Sequence, residues 1–454
     1  MASTKDELLL RIREGGKLST AEQLRLTAAL SVPAILSQIS SILMFYIDDA
    51  MVGSLGALAT ASIGLVATSL WLFWSVISCI STGFSVQVAH LVGANDLPGA
   101  RSVFRQSMTA AAVLVVVTML IGAAVAFPLP YWLGGGEDIA RNSTFYFLII
   151  VLGAPFTMVQ FLAAAMLRCA GNIKVPSLAN VVMCVLDVVF NFFFIFIVGW
   201  GVVGAAVGTV LATAVISVYL LWYAVTCSPE LRLLGEQGSF RPQRAILKKA
   251  SDIASPILLQ RVLMNVAQIV TTIIVAPLGA VAIAANTLGI TAESLCYMPG
   301  YGIGEAATTL VGQSIGAQRH RLTERFAWMT TLLGIVVMTL MGAVMYVAAP
   351  LMMASLTPDE AVRQLGTECL RIEAWAEPGF AASIVAMSCF VGAGDTRKPA
   401  MMNLFSMWAV RVTLAALLAP HYGLHGVWIG MAIELTFRGV IFLARLKWGK
   451  WRRI

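Results

Sequence analysis

The chain has 454 residues, of which 59% are hydrophobic and only 12% charged, and its mean hydropathy is +0.85. Soluble domains sit well below that apolar fraction, so a soluble globular fold is excluded. A helix that crosses a bilayer takes roughly 20 predominantly apolar residues, and stretches of that kind fill most of the chain. They are too long and unbroken for barrel strands, in which apolar and polar residues alternate. The expected class is an all-α polytopic membrane protein.

Residues 1–31 are mixed in charge and lack the apolar core of a secretory leader; they read as a cytoplasmic segment. Ser19 with Glu22, or Thr20 with Gln23, fits a capping box that starts a short helix leading into the first span. Twelve spans are predicted: 32–54, 57–87, 102–127, 140–167, 174–197, 201–224, 250–276, 280–311, 322–348, 361–390, 399–419 and 424–446. Several exceed the bilayer thickness, so they tilt or project beyond it. This divides the chain into an N-lobe of six spans (32–224), a cytoplasmic linker (225–249), a C-lobe of six spans (250–446) and a basic cytoplasmic tail (447–454).

The net charge of +7 matters mainly through its placement. Lys and Arg collect before the first span, at Arg101 and Arg105, at Arg168 and Lys174, in the linker, at Arg319–Arg325, at Arg397 and Lys398, and in the tail KWGKWRRI. The opposite side receives Arg141 and Arg363, with Arg371 slightly deeper. The positive-inside rule then puts both termini in the cytoplasm of a multi-pass protein of the plasma (inner) membrane, and an even number of spans agrees. The basic tail reads as a topology signal that touches lipid headgroups; no nucleic-acid partner is expected. The seven cysteines are scattered, with no CxxC pair, and read as buried small hydrophobes. The four histidines have no metal-ligand spacing. No metal and no cofactor is expected, and an intramembrane enzyme lacks its constellation.

The chain repeats itself. LRCAGNIKVPSLAN (167–180) resembles FVGAGDTRKPAMMN (390–403), with prolines 223 positions apart (399 − 176), and Pro155 and Pro378 share that offset. VGSLGALATA (52–61) matches VAPLGAVAIA (275–284) at 223, HLVGANDLPGAR (90–101) lies opposite QSIGAQRHRLTE (313–324), and GVVGAAVG (201–208) matches GLHGVWIG (423–430) at 222. Two six-span lobes of like topology are parallel repeats, related by a two-fold axis along the membrane normal. That plan suits alternating access and raises the case for a transporter.

Charged groups inside a membrane are expensive and mark candidate sites. Asp48 lies six positions before the outer end of the first span, ~9 Å below that boundary. In the fifth span Asn180, Cys184, Asp187 and Asn191 fall at i, i+4, i+7 and i+11, on one helical face. Asn191 lies at about the depth of Asp48, with Asp187 one turn deeper. Thr209, ~12 Å into the sixth span, falls between them. The repeat partners of Asp48 and Asp49 are Thr271 and Thr272, so the acids serve one lobe only and are not required by architecture. Nearby carboxylates in a low dielectric compete to stay charged, and an acid that gains and loses a proton can bias a two-state equilibrium. Asp48 or Asp49 capping the outer end of its helix, or sitting in a wet vestibule, is the plainer alternative.

These residues carry a resemblance. IDDAMVGSLG (47–56), with an acid five positions before glycine, YMPGYGIGEAATTLVGQSIGA (297–317) and FVGAGDTRKP (390–399) resemble signatures of the multidrug and toxic compound extrusion (MATE) transporters, over residues 25–446. The resemblance implies two six-helix lobes and export of small organic, often cationic, compounds driven by inward H+ or Na+. Asp48 matches the family's first-helix coupling aspartate. The DinF-like branch carries asparagine and then aspartate in its fifth helix; here Asp187 and Asn191 stand in reversed order, and Thr209 matches that branch's sixth-helix threonine. The acids of the NorM-like branch have no counterpart near Met264, Asn265 or Phe380, which favours a DinF-like site in the N-lobe. The coupling residues expected are therefore Asp48, Asp187, Asn191, Thr209, Asn180 and Asp49, with H+ preferred over Na+.

The C-lobe has intramembrane charges of its own: Arg261, Glu293, Glu305, Glu373, Glu377, Arg411, Glu434 and Arg438. Glu434 and Arg438, at i, i+4, are expected to pair, with Arg411 in reach of Glu434, as a neutralised structural network. Glu373 and Glu377 flank the bend at Pro378, and Arg261 either packs or faces the cavity toward an anion. The 21 Met and 21 Phe suit an adaptable apolar pocket without naming substrate contacts. The leading reading is a cation-coupled exporter working as a monomer among membrane lipids; a Na+-coupled exporter and a lipid-linked saccharide flippase are the alternatives.

Overall fold

A computed structural model describes residues 4–235 and 237–451, and the described residues form helices and no strands. In chain order the α-helices are α1 (Thr4–Arg13), α2 (Thr20–Gly53), α3 (Ala57–Gly93), α4 (Leu97–Ala126), α5 (Leu129–Trp132), α6 (Glu137–Leu152), α7 (Ala154–Cys169), α8 (Lys174–Phe192) and α9 (Gly201–Trp222). Then follow α10 (Arg244–Val275), α11 (Ala280–Gly316), α12 (His320–Leu356), α13 (Glu360–Ala374), α14 (Glu377–Ala393), α15 (Arg397–Phe405) and α16 (Thr413–Trp448). Single π-turns extend α8 (Phe193–Ile197) and α9 (Tyr223–Cys227) and join α15 to α16 (Ser406–Val412).

Eight helical stretches are long and apolar enough to cross a membrane, and the bent pairs α6–α7 (47°) and α13–α14 (60°) raise this to ten. The stretch Arg397–Trp448 counts once among them at 52 residues. It breaks at Gly423 (φ 58°, ψ −138°), a conformation closed to L side chains, and so makes two passes. With the 37-residue α11, twelve spans result, as the hydropathy pattern predicts.

The repeat is written into the backbone. Gly56 and Gly279, 223 positions apart, both precede a 37-residue helix with φ of 106° and 99°. Asn95 and Gln318, at the same offset, are the two non-glycine residues with positive φ among the described residues, 58° and 56°. Asparagine enters that region readily and glutamine less so; the shared turn, not local preference, sets the conformation. Pro33 and Pro256 sit inside α2 and α10, again at the same offset.

The N-terminus departs from expectation. Ser19 and Glu22 form the capping box, with the Ser19 N–H donating to Glu22 Oε2 at 2.7 Å and the Glu22 N–H to Ser19 Oγ at 3.2 Å. The helix they start is no short lead-in: it runs unbroken for 34 residues into the first span. A separate amphipathic helix, α1, precedes it.

The chain folds into two compact units, Ser40–Ala254 and the remainder, residues up to Ile39 with Ser255 onward. The divisions fall inside α2 and α10 and differ from the lobe limits read from sequence, 32–224 and 250–446. Hydropathy locates where a helix enters the apolar phase; it carries no information on which bundle each half packs against. In the first unit Phe104, Phe147, Met158 and Leu167 anchor the core. There α10 begins so close to α3 that a Cβ at Gly83 would lie 2.5 Å from the Ala250 carbonyl oxygen. In the second unit Trp428 and Met345 anchor one cluster, and Phe390, Phe442 and Trp451 another. Trp451, within the predicted basic tail, is fully buried, with its ring 5.6 Å from that of Phe390. Leu340, Val344, Val347 and Leu351 form an exposed apolar stripe along α12, as a lipid-facing helix requires.

Candidate functional site

Within the unit Ser40–Ala254, the C-terminal parts of α2 and α8 and the N-terminal half of α9 meet around one asparagine. Its Nδ2 donates one hydrogen to Asp48 Oδ1 and the other to Asp187 Oδ2, each at 3.0 Å. Asp187 and Asn191, one turn apart on α8, are each only 1% exposed. Asp187 also meets the Asp48 carboxyl and the Thr209 hydroxyl. Four of the six predicted residues thus converge: Asp48, Asp187, Asn191 and Thr209. The i, i+4 spacing aims Asp187 and Asn191 the same way, and the position of Asp48 near the end of α2 matches their depth.

The approach of α9 to α8 depends on glycine. A Cβ at Gly208 would lie 2.1 Å from Asn191 Oδ1 and 2.8 Å from the Asn191 backbone N; one at Gly204 would lie 2.7 Å from the Phe194 carbonyl oxygen. Small residues let helix backbones come this close, which carries Thr209 to Asp187. The π-turn Phe193–Ile197 begins just beyond Asn191, a common companion of functional sites in helices. Gly208 closes the repeat motif GVVGAAVG, whose glycine spacing is itself a signal for close helix packing.

Two predicted residues lie apart. Asn180 shares the face of α8, but its Nδ2 donates to Ser41 Oγ at 2.9 Å, two turns of α2 away from Asp48. Asp49 is exposed; one residue on from Asp48, it is turned ~100° round the helix. The repeat partners hold no comparable site: Thr271 and Thr272 donate back to the carbonyls of Ala267 and Gln268 on their own helix.

In the other unit Glu434 is fully buried and pairs with Arg438 at 2.6 Å, while the Ser406 hydroxyl donates to the same carboxylate. Arg411 departs from the expected pairing. It lies on the π-turn, its Nη2 points at the Met431 sulfur, and no ion pair joins it to Glu434 among the described residues. Glu373 and Glu377 are fully buried on either side of the α13–α14 bend, and all four of their carboxyl oxygens lack a hydrogen-bond partner. Gln38, on the part of α2 that belongs to this unit, donates to Glu305 at 3.2 Å.

The MatE family model matches residues 33–193 and 256–417, once in each half of the chain. The chain is 26% identical over 437 residues to the "Probable multidrug resistance protein NorM" of Thermotoga maritima, covering 93% of this chain and 92% of that protein. It is 24% identical over 428 residues to the protein of the same name from Neisseria meningitidis serogroup B, covering 92% and 93%. Its fold matches a solved transporter of the MOP superfamily from Pyrococcus furiosus at a TM-score of 0.89, with 21% identity and 98% and 97% coverage. It also matches a variant of the Vibrio cholerae MATE transporter VcmN at 0.88, with 19% identity and 98% and 97% coverage.

Proposed function

The chain belongs to the MatE family, and from that premise we propose that it is a secondary active antiporter with Asp48 as its coupling acid. It exports small amphipathic, cationic organic compounds in exchange for an inward cation, H+ in preference to Na+. The observation that carries the reading is the single Asn191 amide shared by two carboxyl groups inside one lobe. Two carboxylates this close repel strongly when both are ionised, and a proton between them removes the repulsion. Loss of that proton changes the interactions that hold α2 against α8, and a ligand shifts a conformational equilibrium only by such a difference.

The choice of H+ rests on the two carboxyl groups that share the Asn191 amide: a single proton removes the repulsion between them. That Thr271 and Thr272 replace the acids in the repeat supports coupling from one lobe. Both termini face the cytoplasm of the inner membrane, on the Lys/Arg distribution, and the site lies near the opposite, outer end of α2. Each chain carries the full set of coupling residues and works as a monomer.

The test is movement of a fluorescent cationic dye into proteoliposomes under a pH gradient and, separately, a Na+ gradient, for the wild type and Asp48→Asn. Movement on the pH gradient alone, lost in a folded Asp48→Asn protein, is expected. Wild-type transport by Asp48→Asn would overturn the assignment of Asp48, and movement on Na+ alone would overturn the assignment of the ion.

A further inference from the structure

At the amino-terminal ends of α2 and α12 the second unit holds an open cavity of about 640 Å³, lined by Lys17, Leu18, Gln23, the run Gln318–Leu322 and Arg325. It lies at the opposite end of α2 from Asp48. The repeat makes its chemistry unusual. At the equivalent start of α4, Asp96 is the N-cap, and its carboxylate accepts from the Gly99 N–H. At the start of α12 the N-cap is Arg319, which makes no side-chain cap, and His320 and Arg321 follow it. A helix N-terminus carries partial positive charge, so three basic residues are what that position least favours. The offset of 223 that conserves the turn itself, at Asn95 and Gln318, has exchanged a built-in anion for cations.

Of the nearby acids, Glu324 on α12 is not among the residues that line the cavity, and Glu7 and Glu22 are engaged elsewhere. Glu7 and Glu22 are both taken by Arg11, at 2.7 and 2.9 Å. Arg319 donates through Nη1 to the last carbonyls of α1, those of Arg11 and Ile12. No ion pair involves Lys17, Arg321 or Arg325 among the described residues, and all three side chains are exposed around the cavity. A second observation points to a ligand. Gln23 lines the cavity, is 1% exposed, and donates through Nε2 to the Leu18 carbonyl. That fixes the amide orientation and leaves Oε1 buried with no partner. The cavity therefore offers several cations and a free helix N-terminus for an anion, and one buried acceptor for a hydroxyl donor.

We propose that this cavity binds the headgroup of an anionic phospholipid that carries a free hydroxyl, a phosphatidylglycerol-like phosphodiester. Helix N-terminal N–H groups with Arg and Lys are a standard phosphate cradle. The acyl chains have a surface to follow: Leu24, Val32 and Leu36 on α2 and Leu332 and Val336 on α12 are exposed and apolar. Leu332 begins its stripe ~10 Å beyond Arg325, which puts the cavity at headgroup level. A soluble phosphate would use the cations and leave that apolar surface unused.

The experiment is native mass spectrometry of the full chain in neutral detergent, titrated with phosphatidylglycerol, phosphatidylmethanol or phosphatidylcholine. Separate arms contain inorganic phosphate or glycerol 3-phosphate. The wild type is expected to retain phosphatidylglycerol best and phosphatidylcholine least. The double variant Arg321→Ala/Arg325→Ala is expected to lose about thirtyfold in phosphatidylglycerol retention, the combined effect of two basic residues at an anionic surface. The double variant Arg241→Ala/Arg244→Ala removes the same charge from the linker and is expected to retain the lipid. Gln23→Met is expected to abolish the preference for phosphatidylglycerol over phosphatidylmethanol, which has the same charge and no hydroxyl. Equal retention of phosphatidylglycerol and phosphatidylcholine by the wild type would overturn the proposal, as would undiminished retention by Arg321→Ala/Arg325→Ala. Displacement of the lipid by inorganic phosphate at low concentration would assign the site to a soluble anion and overturn the lipid assignment.

Discussion

Replacing Gly208 by alanine tests the geometry of the acid cluster without touching an acid. The added Cβ would fall 2.1 Å from Asn191 Oδ1 and 2.8 Å from the Asn191 backbone N. Rotating the amide relieves only the first contact and breaks both hydrogen bonds to the carboxyls. Bonds to charged groups contribute ~1.5–3 kcal/mol each, so that route costs more than moving α9 outward, which as overpacking costs ~1–3 kcal/mol. The backbone contact demands the outward movement in any case, and it draws Thr209 away from Asp187. Gly208→Ala should therefore fold and insert, with a stability loss of ~1–3 kcal/mol. Its dye transport on a pH gradient should fall by about tenfold or more, since 1.4 kcal/mol is a factor of ten. Gly204→Ala is the control: its Cβ would meet the Phe194 carbonyl 2.7 Å away, with similar overpacking and no contact with Asn191. Thermal unfolding in detergent, read beside proteoliposome transport, separates the two variants. Loss of stability in both with loss of coupling only in Gly208→Ala is expected. Equal transport by the two variants would refute the idea that the placement of Asn191 matters to coupling.

Asp49→Asn should transport within about twofold of the wild type, because Asp49 is exposed outside the cluster; the same dye assay checks it. Arg438→Ala should be strongly destabilised, by about 3–5 kcal/mol, because it leaves the fully buried Glu434 without its partner; denaturation of the purified protein measures this, and a variant that also carries Glu434→Gln should recover part of the loss. Gly423→Ala should cost ~1–3 kcal/mol, because φ 58° with ψ −138° is open only to glycine, whereas Asn95→Ala, at φ 58° in a tolerated turn, should cost less in the same measurement.

How far the site was legible depended on how local its signals were. The spacing of Asp187 and Asn191 fixes a common face of α8, and counting residues fixes their depth relative to Asp48; both follow from helix geometry alone. The same count placed Asn180 on that face, correctly, yet Ser41 takes its amide, because position along a partner helix is a property of packing. Asp49 adjoins Asp48 in sequence, yet adjacent helical residues point ~100° apart. Arg411 is in reach of Glu434 by sequence, yet its Nη2 meets the Met431 sulfur, because the choice between neighbours on a packed helix is made by tertiary contacts.

What the sequence alone determined is therefore whatever a residue's own chemistry and its near neighbours dictate. It determined an all-helical membrane protein from hydropathy, twelve spans from length, the twofold repeat from the offset of 223, and acids in one repeat only. Even the positive-φ turns at Gly56 and Gly279 lie within matched motifs. The tertiary structure alone decided where α2 and α10 pass from one compact unit to the other, which way the Asn191 amide faces, and that Gly208 permits it. The reason is that helix formation is satisfied within a few residues of chain, whereas an amide's orientation and a helix's closest approach are set by atoms more than a hundred residues away, as Asp48 is from Asn191.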